Sequence, residues 1–277
     1  MKILFIGDIV GEPGKRIVKA LVPALRQELG LDFVVANGEN SARNGGGFMP
    51  ADIKDLFASG IDVITSGDHV WDHREILPVL DQEAHLLRPL NYPAGVNGHG
   101  STVVEKNGKR LAVLNLQGRV FMSQAIENPF AAARAEVIRL RQQATCVLVD
   151  IHAETTSEKI CMGRYLDGLV SLVVGTHTHV QTADEEIFPG GTAFLCDAGM
   201  TGPHNGSLGR EIEPIIKRFL TNMPQKFPVA SGDLRLHGVY VEVDETHGRT
   251  REIRRIARRY EEPRTDVDAA FSKQFKI

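Results

Sequence analysis

KILFIGDIVGEPGKRIVKALVPALRQELGLDFVVAN, residues 2–37, is the stretch on which the fold turns. The run KILFIG is apolar and short, as a buried strand is. PGKRIVKALVPALRQELG is amphipathic with a helical period; it opens at Pro13 and stops at Gly30. DFVVAN reads as a second buried strand. A strand, a helix and a strand in this order predict parallel strands joined by a right-handed crossover, hence an α/β fold.

Outward from this unit the pattern repeats and then changes. PADIKDLFASG predicts a helix, DVITSG a third strand, and a further helix is expected near residues 73–81. GHGSTVVEKNGKRLAVLNL carries Asn107-Gly108 between two β-rich runs, a hairpin signal. Residues 116–128 read as a loop, PFAAARAEVIRLRQQA as a helix, CVLVDIH as a strand, SEKICMGRYL as a helix and LVSLVVG as a strand. GTAFLC, the glycine-rich DAGMTGPHNGSLGR, the helix EPIIKRFLTN and the β runs LRLHGVYVEVD and REIRRIARRY complete the chain. The mixture predicts a β-sandwich core with helices outside, parallel early and antiparallel in places later. It is expected as a single domain over residues 1–260 with a polar tail at 261–277. The arginines between Arg249 and Arg259 are expected on the solvent face of an edge strand, protecting it by charge.

Composition narrows the class. The 277 residues are 42% hydrophobic and 24% charged, with a formal net charge of −3. That balance is globular and argues against a generally nucleic-acid-binding surface, so no stable nucleic-acid complex is expected. MKILFIGD is too short for a signal-peptide apolar segment, and no run approaches the ~20 residues of a membrane span. Cys146, Cys161 and Cys196 have no metal-type spacing, and Cys146 and Cys196 read as small apolar residues of strands. A soluble, cytoplasmic protein is expected.

The carboxyl ends of the strands carry the polar chemistry. Strand one ends in Asp8, strand two in Glu39 and Asn40, strand three in Asp68 and His69. CVLVDIH ends in His152, and LVSLVVG is followed by His177 and His179. Singly these residues have plain uses in turns or as hydrogen-bonded structural histidines. Together they stand where ligand sites of α/β sheets lie. Residues i and i+2 of an extended segment point the same way, so His177 and His179 are expected to converge on one cation. Imidazole with carboxylate and no thiolate suits Mn, Fe, Zn or Co. Asp8, Glu39, Asn40, Asp68, His152, His177 and His179 exceed what one ion takes. Two ions sharing a carboxylate are expected, an arrangement suited to in-line phosphoryl displacement.

GDIVGEPGK, ANGEN, SGDHVWD, DIHAE, GTHTHVQT and DAGMTGP, in this order, resemble the YmdB-type cyclic-nucleotide phosphodiesterases, a bacterial family of calcineurin-like metallophosphoesterases. The resemblance runs from Met1 to about Tyr260. It implies a four-layer α-β-β-α sandwich with mixed sheets, and two divalent or trivalent ions, Fe or Mn foremost. It implies that Asp8, Asn40 and His179 hold one metal, that Asp68, His152 and His177 hold the other, and that Glu39 bridges. His69 then contacts the phosphate or protonates the leaving oxygen. The implied reaction is hydrolysis of 2′,3′- or 3′,5′-cyclic mononucleotides by metal-bridged hydroxide, and the implied assembly a homo-oligomer.

Two positions depart from the pattern. Asp68 stands where asparagine is expected, removing one positive charge from the centre and weakening its pull on anions or favouring Fe(III). His204 stands where an aromatic or other residue is expected, and a loop histidine without function is the simpler reading. Asp72 either orients a histidine or caps the next helix, and His73 caps a helix. His85, His99, His237 and His247 read as structural or exposed. Dinucleotide binding is a poorer reading, because Gly7, Gly11 and Gly14 do not form G-x-G-x-x-G and Ile9 and Arg16 break a Walker A loop. A catalytically weak, metal-binding regulatory protein acting through a partner is the alternative.

Overall fold

The computed structural model describes residues 1–261; the tail expected over residues 261–277 lies outside them except for Glu261, which is exposed. In chain order the elements are β1 (Lys2–Ile6), β2 (Asp8–Ile9), α1 (Gly11–Leu29), β3 (Phe33–Asn37), α2 (Pro50–Ala58) and β4 (Val63–Thr65). A single 3-10 turn (Arg74–Ile76) leads into α3 (Leu77–Gln82), followed by β5 (Ser101–Lys106), β6 (Lys109–Gln117), α4 (Pro129–Leu140), β7 (Cys146–His152), α5 (Thr156–Tyr165) and β8 (Leu172–Thr176). The chain continues through β9 (Glu186–Ile187), β10 (Ala193–Leu195), β11 (Met200–Pro203), α6 (Ile212–Thr221), β12 (Leu234–Asp244) and β13 (Arg249–Tyr260).

Two mixed sheets form. One has the order β2-β11-β12-β1-β3-β4 with β13 on β12; the other runs β5-β6-β7-β8-β10-β9. β1, β3 and β4 are parallel, as are β6, β7, β8 and β10, while β12 runs antiparallel to β1 and β13. The alternation of side chains along each strand builds the layers. Ile3 and Phe5 of β1 enter the core between the sheets with Val35, Val113, Leu148 and Val174. Leu4 and Ile6, one step out of phase, enter the core under α1 and α2 with Ile17, Val22 and Leu56. Ala133, Val137 and Met162 of α4 and α5 cover the outer face of the second sheet, on Leu114, Val149 and Val173. The four-layer α-β-β-α architecture follows. Each large aliphatic or aromatic side chain so buried contributes ~1.5–3 kcal/mol before entropy is counted.

Several boundaries differ from the expectations. α1 begins at Gly11, two residues before Pro13, and ends as expected at Gly30, whose φ of 62° is the left-handed cap. Asp8 does not end the first strand: Gly7 interrupts it, and Asp8–Ile9 form a separate strand paired with Met200–Thr201. A side chain at residue 7 would lie 2.0 Å from Gly199 O, so only glycine lets the two backbones pass. Cys196 lies just beyond β10 rather than in it, although buried. His73 caps no helix with its ring; its Nε2–H donates instead to Gly46 O (3.1 Å). The β13 arginines are tied to acids, Arg251 to Asp244 and Arg255 to Glu185, as an edge strand's solvent row can be. No described helix is long and apolar enough to cross a membrane.

Candidate metal centre

Asp8, Glu39, Asn40, Asp68, His152, His177 and His179 meet at one place, where the carboxyl ends of the parallel strands of both sheets face each other. Ligand atoms of Glu39, Asp68, His152 and His177 lie within 4.8 Å of one another. Asp68 Oδ1 is 3.1 Å from His152 Nε2 and 3.6 Å from His177 Nδ1, and the two imidazole nitrogens stand 3.0 Å apart. On the other side His179 Nε2 is 3.0 Å from Asn40 Oδ1 and 3.7 Å from Asp8 Oδ1. Glu39 Oε2 lies 3.1 Å from His152 Nε2. The cluster therefore has two halves, Asp68–His152–His177 and Asp8–Asn40–His179.

The expected convergence of His177 and His179 is corrected by their backbone. The segment is not extended: His177 has φ 96° and His179 φ 62°, the left-handed region that L residues rarely enter. The rings consequently part, one into each half. Asp197 maintains the turn: its Oδ2 accepts from the N–H (3.1 Å) and hydroxyl (2.7 Å) of the intervening Thr178 and from buried Lys159 (2.7 Å). Strain of this kind persists only where the surroundings over-determine it.

Each of the three imidazoles has one nitrogen committed outward. The Nδ1–H of His179 donates to Leu208 O (3.1 Å). The Nδ1–H of His152 donates to Thr176 Oγ1 (3.0 Å), whose hydroxyl donates to Asp150 Oδ1 (2.8 Å). The Nε2–H of His177 donates to Glu154 Oε2 (3.2 Å). These bonds leave one nitrogen of each ring turned to the cluster (Nε2 of His152, Nδ1 of His177, Nε2 of His179), the orientation metal-ligating histidines require. On His152 that nitrogen carries a proton toward Asp68 (3.1 Å), which a metal ion would replace.

The carboxylates complete the case for cations. Asp8 Oδ1 and Glu39 Oε2 are buried and accept no hydrogen bond among the described residues. Anionic oxygens kept dry without donors need positive charge beside them. Burial raises the pKa of Glu39 above the ordinary carboxylate value, and Asp68 and Asp8 add to it. Burial opposes ionisation of Asp68, yet the hydrogen bond and charge of His152 outweigh it and hold its carboxyl well below the usual range. Burial disfavours charge on His152, but Glu39, Asp68 and Asp8 overcome it and raise its pKa. Burial, with repulsion from His152, lowers His177 to about 3. The donor set is thus imidazole, carboxylate and amide oxygen, and it fits two transition-metal ions. Gly67 makes room for it: a Cβ there would lie 1.8 Å from Glu39 Oε2 and 2.2 Å from His152 Cδ2.

His69 lines the adjoining cavity of about 480 Å³ with Glu39, His177, His179 and Arg210. Its Nδ1–H donates to Asp72 Oδ2 (2.8 Å), which gives Asp72 the orienting role rather than the capping one. Burial lowers the His69 pKa, but Glu39, Asp68 and Asp72 together raise it above the ordinary value. His204 follows β11 and packs against His237, with ring centroids 4.6 Å apart, in a cavity that His179 also lines. Glu154, Thr176, Asp150, Asp197 and Lys159 escaped the reading of the sequence. Asp150 and Glu154 stand in DIHAE, Thr176 in GTHTHVQT and Asp197 in DAGMTGP, so each had a signal in the quoted motifs; Lys159 had none.

A family model described as "YmdB-like protein" matches residues 4–256. The chain is 47% identical over 256 residues to a Bacillus subtilis protein named 2′,3′-cyclic-nucleotide 2′-phosphodiesterase, covering 92% of this chain and 96% of that one. Its structure is similar to that of a hypothetical protein from Thermus thermophilus of 39% identity (TM-score 0.87, 94% of this chain and 100% of that chain). It is similar also to a structure described as a novel phosphatase of Mycoplasma pneumoniae, with 33% identity, TM-score 0.88 and 95% of both chains covered.

Proposed function

This chain belongs to the YmdB-like family and is a hydrolase acting on phosphodiester bonds, and from that premise we propose that it opens 2′,3′-cyclic nucleotides at a pair of metal ions. The observation that carries the reading is the orientation of His152, His177 and His179, each with one nitrogen bonded outward and the other turned inward toward the unpartnered carboxylate oxygens of Asp8 and Glu39. Asp8, Asn40 and His179 would hold one ion and Asp68, His152 and His177 the other, with Glu39 between them; Fe and Mn suit the donors. When bound, the ions supply Lewis acidity to the phosphoryl group and to the attacking water.

The chain's own residues do the rest. His69 stays protonated to higher pH than a free imidazole because of the carboxylates around it, and it sits at the cavity wall. With Nδ1–H given to Asp72, Nε2 is the nitrogen that delivers a proton to the departing ribose oxygen. Asp150 acts through Thr176 to fix the ring of His152; burial pushes its carboxyl up to about 7.

The test is turnover of 2′,3′-cyclic nucleotides, with 3′,5′-cyclic nucleotides and bis-p-nitrophenyl phosphate alongside, by protein loaded with Mn or Fe. Ring opening of the 2′,3′ esters to 3′-phosphates is expected. Metal bound in full with no diester cleaved would overturn the reading in favour of a regulatory protein. Self-association is measured on the same preparation by light scattering, with an oligomer as the expected state.

A further inference from the structure

A second cavity, of about 410 Å³, adjoins the metal-ligand cluster on the far side of His179, and the two cavities share His179, Val180 and Leu208. Met200, His204, Ser207, Gln181 and His237 also line it, with Gly206. The chemistry of the two spaces differs. Glu39, Glu154 and Arg210 make the first a place for ions and phosphate. The second has no Asp, Glu, Lys or Arg on its wall among the described residues. Burial lowers the pKa of His204 and lowers that of His237 to about 4, so both imidazoles are neutral near pH 7.

We propose that this second cavity seats the base of the cyclic nucleotide whose phosphate lies over the metal-ligand cluster. The inference rests on the phosphodiesterase reading and names the part of the substrate that reading leaves unplaced. In a 2′,3′-cyclic nucleotide the phosphate spans O2′ and O3′ on one face of the ribose, and the base leaves C1′ on the other. A phosphate beside His179 therefore directs the base across one wall of the first cavity. The wall formed by His179, Val180 and Leu208 opens onto a volume within the roughly 300–1,000 Å³ of small-molecule sites. Met200, Val180 and Leu208 offer apolar surface to a planar ring, and the neutral imidazoles add flat, uncharged surface beside them. A second phosphate would find no cation here.

The histidine pair is only partly used by the fold: His204 Nδ1–H donates to Gly202 O (3.1 Å), and the two rings pack on each other. His204 Nε2 and His237 Nδ1 are buried without hydrogen-bond partners among the described residues. An apolar ring would spare the fold both of these unsatisfied atoms. His237 stands on β12 opposite the interruption between β1 and β2, its carbonyl accepting from Gly7 N–H (3.0 Å) and Thr201 Oγ1 (3.3 Å). Its backbone is thus anchored one residue from Asp8, while its ring adds no bond through Nδ1.

The test compares kcat/KM for 2′,3′-cyclic AMP with that for 1,4-anhydroribitol 2,3-cyclic phosphate, which keeps the reacting ring and lacks the base. Wild-type protein is expected to prefer the nucleotide by about tenfold or more, chiefly through KM. His237→Leu, and separately Ser207→Trp, which fills the cavity from a loop, are expected to collapse that ratio toward one. A wild-type ratio near one, or a ratio that survives in both variants with native melting temperatures, overturns the subsite while leaving phosphodiester hydrolysis standing. Failure of wild-type protein to cleave either ester, with metal bound, removes the parent reading and the subsite with it.

Discussion

At the scale of single residues the proposed site separates the side chains that would hold metal from the one that would move protons. His69 is oriented by Asp72 at 2.8 Å rather than by another imidazole of the cluster. His69→Ala is expected to retain both metals by elemental analysis while losing turnover by about 10²–10⁴-fold, the range of a general acid. A parallel loss of metal would make it a ligand. Asp68 is one of the two residues, with His204, where this chain departs from the pattern its motifs resemble. Its carboxylate adds a third negative charge beside Asp8 and Glu39, so Asp68→Asn should tighten competitive inhibition by phosphate in protein of matched metal loading. Unchanged inhibition and unchanged metal preference would show that the charge is without consequence. The identity of these residues was readable because each stands within a few residues of the carboxyl end of a core strand; their supporting partners were not. Lys159 lies in a helix of mixed polarity and is wholly buried against Asp197, which no periodicity indicates.

Among the elements, the hairpin of β5 and β6 was readable because Asn107 and Gly108 adopt φ 53° and 75°, the conformation their types favour. β9 and β11 escaped because strands of two and four residues carry no period, and β11 ends in proline. The His177–His179 turn shows a correct choice of residues reached from the wrong geometry: an extended segment would have sent both rings to one side. What holds the turn is the buried pair of Lys159 and Asp197, each 1% exposed, with Thr178 on the same carboxylate. Lys159→Met removes one partner of that pair and is expected to cost about 3–5 kcal/mol in denaturant unfolding of metal-free protein. A loss below about 1 kcal/mol would mean that Asp197 is satisfied by Thr178 and Gly199 alone.

For the whole molecule, the centre belongs to neither sheet. Asp8, Glu39, Asn40 and Asp68 come from the ends of one sheet, His152, His177 and His179 from the other. Beneath them Asn37 Nδ2 and Thr65 Oγ1 both donate to Asp150, and Ser66 N–H donates to Asn115 Oδ1 (3.0 Å), stitching the sheets at the seam. Sequence order told which strand ends carry the candidate ligands; that two sheets stack with those ends aligned is a matter of packing, visible only once the inter-sheet core is built. Ions bound across the seam should stabilise the fold by linkage. At a free concentration of ~1,000 Kd, chelation is expected to lower Tm by roughly 8–16 °C, and a Tm indifferent to chelator would detach the metals from the fold. The most direct measurement is anomalous diffraction from crystals grown with Mn, recorded on both sides of an absorption edge. Two peaks about 3.5–4 Å apart are expected, one bonded to Asp8, Asn40 and His179, the other to Asp68, His152 and His177, with Glu39 reaching both. A single peak, or peaks bonded to other side chains, would contradict the dinuclear centre on which the account stands.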